Sequence, residues 1–202
     1  MSEPLPLVFD LGGVLIDWDP RRIYVPALGE AAAAFLLERV CTHTWNLAMD
    51  AGRPFDEAIA EKQREWPEHA EAIGWWKTRW TGMLGGPLDG TVALLGRLQA
   101  AGHPTYALSN WSAETFPEAL ARYPFLRTFR DIAISGEAGL VKPDPAFFRL
   151  AADRWGIPLA GTVFIDDAPR NVAAAAALGM DALLFTDPGR LQADLARRGF
   201  PA

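Results

Sequence analysis

The chain has 202 residues, half of them hydrophobic, and 25 acidic against 19 basic side chains give a net charge of −6. That length buries a full core, while the acidic balance and the lack of any lysine/arginine block disfavour nucleic acid and anionic membranes as partners. Cys41 is the single cysteine, which excludes an internal disulfide and a multi-cysteine metal site.

The first apolar run, 7–11, contains Asp10 and is followed by Gly12 and Gly13. It predicts a buried strand that delivers one carboxylate to its C-terminal tip, at a turn tight enough to favour glycine. From about Asp17 to Pro87 the pattern is helical, with no convincing strand. Helical segments are expected to start at Asp19-Pro20, near Glu30, at Arg53-Pro54 and at Pro67, because proline suits a first helical turn. This span reads as a helical cap inserted into an α/β core. Trp45, Trp66, Trp75, Trp76 and Trp80 all fall inside it. They read as the cap's own packing, since aromatics at helical spacing usually form core, with an aromatic wall over a substrate as the alternative.

Beyond the cap, β-branched and aromatic runs at 105–109, 132–135, 162–165 and 182–185 predict four further strands. Helices are expected over 91–101 closing at Gly102, from Asp144-Pro145 to Gly156, and over 171–178 closing at Gly179. The alternation predicts a Rossmann-like, doubly wound parallel sheet. The expected division is a core of 1–16 and 88–202 and a cap of 17–87. Met1-Ser2-Glu3-Pro4 lacks the basic-then-apolar pattern of a signal peptide, and no apolar run is long enough to span a bilayer, so a cytoplasmic location is expected.

The polar residues at the strand ends carry the functional argument. Ser109-Asn110 follow the second strand, Lys142-Pro143 follow the third, and Asp166-Asp167 follow the fourth. In a parallel sheet these groups and Asp10 reach one edge, at the crevice where such folds bind ligands. Asp10, Asp166 and Asp167 together make clustered negative charge that a divalent cation would neutralise, and Mg²⁺ keeps positions free for water and a phosphate. Lys142, Ser109 and Asn110 would hold the remaining oxygens of that anion. An Asp10 oxygen could then attack phosphorus and form an aspartyl-phosphate that water hydrolyses.

The ordered set Asp10-Leu11-Gly12-Gly13-Val14, Ser109-Asn110, Lys142-Pro143 and Asp166-Asp167 resembles the four motifs of the haloacid dehalogenase superfamily, over nearly the whole chain. The cap's insertion just after the first motif resembles that superfamily's helical-cap subgroup. Within it, Phe9 to Val14 followed by Asp17 is most similar to the bacterial branch that includes α-glucose-1-phosphate phosphatase. The resemblance implies a Mg²⁺-dependent phosphatase in which Asp10 is nucleophile and metal ligand and Gly12 offers its backbone carbonyl to the metal. It implies Asp167 as a direct ligand, with Asp166 binding directly or through water. Ser109 and Lys142 would bind phosphate, assisted by the backbone or side chain of Asn110.

The chain departs from the family at Gly12, where phosphatases of this kind commonly carry an aspartate that protonates the leaving oxygen. Loss of a general acid costs on the order of 10² to 10⁴ in rate for poor leaving groups. Substrates that depart readily are therefore expected, a small sugar phosphate being favoured over a simple alkyl phosphate. Asp17 and Asp19 are the nearest replacement acids, and Asp19 has an ordinary use as a helix start before Pro20. His43, in the cap, and Arg21, Arg22 and Arg53 are possible substrate contacts with commonplace structural readings, while His69 and His103 read as surface residues. Two rivals stand beside the phosphatase: a 2-haloacid dehalogenase with Asp10 attacking carbon, and a non-catalytic binding module. The expected partner is a small phosphorylated molecule, bound by a monomer or homodimer.

Overall fold

The computed structural model describes residues 4–201; Met1 to Glu3, within the segment where a leader pattern was sought, and Ala202 lie outside them. In chain order, β1 (Leu7–Phe9) and β2 (Ile16–Trp18) lead into α1 (Arg21–Leu28), α2 (Glu30–Phe35), α3 (His43–Asp50), α4 (Phe55–Glu65) and α5 (Ala70–Thr78). Then follow β3 (Leu84–Pro87), α6 (Asp89–Ala100), β4 (Thr105–Ser109), α7 (Phe116–Arg122), β5 (Asp131–Ile134) and α8 (Ser135–Ala138). The chain closes with α9 (Pro145–Trp155), β6 (Val163–Asp166), α10 (Pro169–Ala177), β7 (Asp181–Leu184) and α11 (Pro188–Ala196).

Five strands form one parallel sheet in the order β5-β4-β1-β6-β7. All three residues of β1 are buried, as suits a central strand covered on both faces. Its period of two sorts them: Leu7 and Phe9 join the core layer shared with the cap, while Val8 joins the layer under Phe147 and Phe148 of α9. β6 does the same, with Val163 and Ile165 on the first face and Phe164 on the second. From β1 the chain builds outward through β4 to β5, then crosses to β6 on the other side. The crevice between the ends of β1 and β6 is thus the switch point of a doubly wound sheet.

Each of the five predicted core strands is present, within a residue or two of its expected ends. The helix opened by Asp144-Pro145 ends at Gly156, which adopts φ +64°, and the Asp144 carboxylate accepts the Ala146 N–H at 2.8 Å. The expectation of no strand between Asp17 and Pro87 is corrected, because β2 and β3 pair antiparallel and form a two-stranded stalk. Strands of three or four residues whose partners lie far apart in sequence have no local periodicity to read; pairing alone defines them. Helices α3, α7, α8 and α11 were also not anticipated, although Thr42 caps α3 and Asp187 caps α11 with ordinary side-chain acceptors. Among the described residues no helix is long and apolar enough to cross a membrane.

The cap's tryptophans serve mainly as its core. Trp76 is buried between Trp45, at 5.3 Å between ring centroids, and Trp18, at 6.4 Å. Trp75 stacks on Tyr24, and Trp66 packs edge-on against Phe35. Only Trp80 of the five named from sequence also lines the cavity below the cap.

Candidate active site

The residues after β1 close a small loop in which Ile16 N–H donates to the Leu11 carbonyl and Gly13 N–H donates to the Ile16 carbonyl. The Gly12 carbonyl takes no part in these bonds, and Gly12 lines the cavity. Gly13 has φ +77°, and a Cβ there would stand 2.3 Å from Asp167 Oδ2. Both backbone conformation and close approach therefore require glycine. Gly13→Ala is expected to cost about 1–3 kcal/mol from the backbone strain alone and to displace Asp167. Denaturant unfolding of the variant checks this, and wild-type stability would refute it.

Asp10 leaves the tip of β1 with three donors on one oxygen. Oδ1 accepts Leu11 N–H at 2.7 Å and Ser109 Oγ–H at 2.8 Å, and lies 3.0 Å from Lys142 Nζ. The second oxygen, Oδ2, takes part in none of these contacts. Lys142 is wholly buried, and its ammonium also donates to Asp166 Oδ2 at 2.7 Å. Asp166, equally buried, accepts Ala168 N–H at 2.8 Å and the Asn171 amide at 3.0 and 3.1 Å. Both Asp166 oxygens are thus committed to holding Lys142 and the start of α10 in place.

The electrostatics follow from this burial. Desolvation raises the Asp10 pKa, Lys142 opposes that shift, and Asp166 adds to it. Burial works to lower the Lys142 pKa, but Asp10 and Asp166 outweigh it and hold it above the ordinary lysine value. Asp167, at the rim, is raised by burial and then by Asp166. One carboxylate oxygen from each of Asp10, Asp166 and Asp167 lies within 4.8 Å of the others. Asn171 Oδ1 is buried beside them with no hydrogen-bond partner among the described residues. An all-oxygen donor set around excess negative charge suits a hard divalent cation.

A cavity of about 220 Å³ opens above this cluster. Its core side carries Asp10, Gly12, Ser109, Lys142 and Asp167, so the predicted convergence of the strand ends is present. Asn110 reaches the cavity too, but its side chain clamps the Lys142 backbone, donating to its carbonyl at 3.0 Å and accepting its N–H at 2.8 Å. Those two bonds give the Asn110 side chain a positioning role toward Lys142.

The cap side is formed by α3, through His43, Asn46, Leu47 and Asp50, and by Trp18 and Trp80. His43 pairs with Arg170 of α10, and burial followed by the Arg170 charge lowers its pKa. None of Asp50, Asn171 or Arg170 was singled out from the sequence as a site residue, and Trp18 and Trp111 were not seen as wall residues. The Thr42 cap and the amphipathic run after it could have identified α3, though not the face it presents. Asp17 and Asp19 do not line the cavity. Asp17 pairs with Arg22, and Asp19 accepts the Arg21 N–H at 2.8 Å. Arg21 and Arg53 pair with Glu30 and Glu61 on the surface, the commonplace reading of both.

Comparison with known proteins agrees with this geometry. The sequence pattern of the family described as haloacid dehalogenase-like hydrolase matches residues 7–179. The chain belongs to that family. This hydrolase is 28% identical over 192 residues to the sesquiterpene phosphatase astK of Aspergillus oryzae, spanning 89% of each protein. It is 27% identical over 191 residues to the drimenol cyclase drtB of Aspergillus calidoustus, matching 94% of this chain but only 35% of the cyclase. A flavin mononucleotide hydrolase of Arabidopsis thaliana is 33% identical over 115 residues, 55% of this chain and 45% of that protein. Among solved structures, a haloacid dehalogenase family enzyme of Bacteroides thetaiotaomicron in complex with magnesium superposes with a TM-score of 0.72 at 22% identity, covering 97% and 100% of the two chains. A predicted hydrolase of the same family from Porphyromonas gingivalis gives 0.70 at 24%, covering 98% of each. These likenesses fix the fold; the chemistry rests on the residues.

Proposed function

We propose that this hydrolase cleaves the phosphate monoester of a small organic molecule, with Asp10 as nucleophile and Mg²⁺ as cofactor. The observation that carries the reading is the buried Asp10–Lys142–Asp166 chain at the sheet's switch point, with the Asp10 carboxylate's hydrogen bonds and ion pair to the described residues all made on Oδ1. Oδ2 is then the oxygen available to attack phosphorus, forming an aspartyl-phosphate. Asp10, Asp167 and the Gly12 carbonyl, with Asp166 behind them, would hold the cation. When bound, it neutralises the facing carboxylates and polarises the phosphoryl oxygens. Lys142 and Ser109 address a phosphoryl oxygen next to the attacked centre, and the Asn110 clamp fixes where Lys142 enters. The organic part of the ester lies toward Trp18, Trp80 and Trp111. A sugar or other compact ring is the organic part proposed for that space, and the phosphatase relatives support hydrolysis of a phosphate ester.

The dehalogenase reading is disfavoured because Asp167 at the rim and the buried Asp166 would repel a carboxylate substrate. Purified protein should hydrolyse p-nitrophenyl phosphate with Mg²⁺ and lose that activity in chelator, returning on Mg²⁺ addition. Halide release from a 2-haloacid that persists in chelator, with no phosphate released from any ester, would overturn the proposal. A screen across sugar-1-phosphates, sugar-6-phosphates, nucleotides, prenyl phosphates and aryl phosphates then ranks the organic part.

A further inference from the structure

Among the described residues the carboxylates lining the cavity are Asp10 and Asp167 from the core and Asp50 from the last turn of α3. Asp50 has no part in the phosphate or cation cradle. It lines the same cavity as Gly12, where an added Cβ would meet nothing within 4 Å, so the place where the first motif would hang an acid is open space. The acids nearest that motif in sequence, Asp17 and Asp19, are engaged away from the cavity.

The cap holds Asp50 firmly. Its Oδ2 accepts the Asn46 amide at 2.8 Å, and Asn46 is itself fixed by the Trp76 indole N–H at 3.0 Å. The Asp50 backbone carbonyl accepts Ser135 Oγ–H at 2.6 Å, and that oxygen accepts the Trp111 N–H at 2.9 Å. The carboxyl is therefore placed relative to both the cap and the catalytic edge of the sheet. Burial pushes its pKa up to about 7; the Ser112 N–H works against this and the Asp10 charge adds to it. The charged groups around the cavity it faces are Asp10, Lys142 and Asp167 from the core, Arg170 from α10, and His43 from its own helix. His43 is already paired with Arg170.

We infer that Asp50 is the catalytic acid and base of this hydrolase, supplied by the cap in place of the residue missing at Gly12. The assignment rests on the reading of Asp10 as a nucleophile toward phosphorus. In the first half, an Asp10 Oδ2 electron pair forms the new P–O bond, the ester P–O bond breaks, and the Asp50 proton passes to the departing oxygen to give the free alcohol. In the second, the Asp50 carboxylate takes a proton from water as its oxygen bonds to phosphorus. The Asp10–phosphorus bond breaks, its electron pair returns to Asp10, and inorganic phosphate leaves with Asp50 protonated again. A group near half-protonation at neutral pH serves both halves.

The test compares wild type with Asp50→Asn and Asp50→Glu, all checked for folding by circular dichroism. With p-nitrophenyl phosphate, whose aryloxide leaves unaided, D50N should release about one nitrophenolate per active site in a burst. The steady rate that follows should be lower than wild type by on the order of 10² to 10⁴. With an alkyl phosphate the loss should be of the same order without a burst, and D50E should recover part of it. The wild-type kcat/KM for the alkyl ester should fall as pH rises past about 7, and D50N should lose that limb. Wild-type rates in D50N, or equal losses on both substrates with no burst, would overturn the assignment. If wild type cleaves no phosphate ester, or D10N remains active, the phosphatase reading itself fails and takes this assignment with it.

Discussion

Asp10→Asn is expected to fold normally and to lose turnover by on the order of 10⁶-fold, the scale seen when an enzyme's nucleophile is removed. Asparagine keeps an acceptor for the Leu11 and Ser109 donors, so the loop after β1 retains its bonds. What goes is the anionic Oδ2, and an amide oxygen does not displace an alcohol from phosphorus. Stability should not suffer with activity. Burial and the Asp166 charge both disfavour an ionised Asp10 in the folded chain, and Lys142 keeps its 2.7 Å contact with Asp166 when Asp10 is neutralised. The variant should therefore melt at or above the wild-type temperature at neutral pH, the usual relation between a strained active site and stability. Steady-state assays with p-nitrophenyl phosphate and a thermal melt read both halves of this result. Residual activity within an order of magnitude of wild type would remove Asp10 from the nucleophile's role.

Lys142→Met is expected to damage activity and fold together. Lys142 is entirely buried, with its ammonium shared between Asp166 at 2.7 Å and Asp10 at 3.0 Å, above the Phe164 ring at 5.6 Å. Methionine fills much of the same volume, but two buried carboxylates then face each other with no compensating charge. Removing one partner of a buried charge pair costs about 3–5 kcal/mol, a large part of the roughly 5–15 kcal/mol that keeps a domain folded. The deficit should depend on pH in a set direction. A carboxylate whose folded pKa is raised above its unfolded value stabilises the fold when protonated, and that stability is lost as pH rises through the folded pKa. Deleting Lys142 removes an influence that lowers the Asp10 pKa. K142M should therefore approach wild-type stability as pH falls below neutrality and lag furthest in alkali. Urea unfolding at several pH values checks this, and a variant as stable as wild type at pH 8 would mean that Lys142 does not balance these acids.

The legibility of this chain divides along the range over which its signals act. Core strands could be read because Leu7 to Phe9 and Val163 to Ile165 are apolar runs buried on both faces, a pattern complete within a few residues. Helix α9 was legible for a similar reason, since Asp144-Pro145 and Gly156 mark its two ends by local backbone chemistry. In a parallel sheet the direction of every strand is the same, so naming the strands also named the edge to which Asp10, Ser109, Lys142 and Asp166 run. The stalk of β2 and β3 escaped because neither strand has a period of its own and each is defined by the other.

Composition and order along the chain thus determined the α/β class, the presence of a helical cap, and an acid cluster with one lysine at the sheet edge. They also determined the absence of an acid side chain at Gly12. Only the tertiary structure decided how those groups divide their work: Asn110 clamps a backbone, Asp166 anchors Lys142, and Asp10 is left with a single oxygen outside these contacts. It also decided which cap residues meet the core, and so put Asp50 in the cavity that Gly12 lines while Asp17 and Asp19 are engaged elsewhere. The physical reason is that local sequence sets the period and ends of a helix, whereas the face it turns toward a site is set by packing against partners distant in the chain. For α3 those partners are Trp76, through Asn46, and Ser135 at the edge of the sheet.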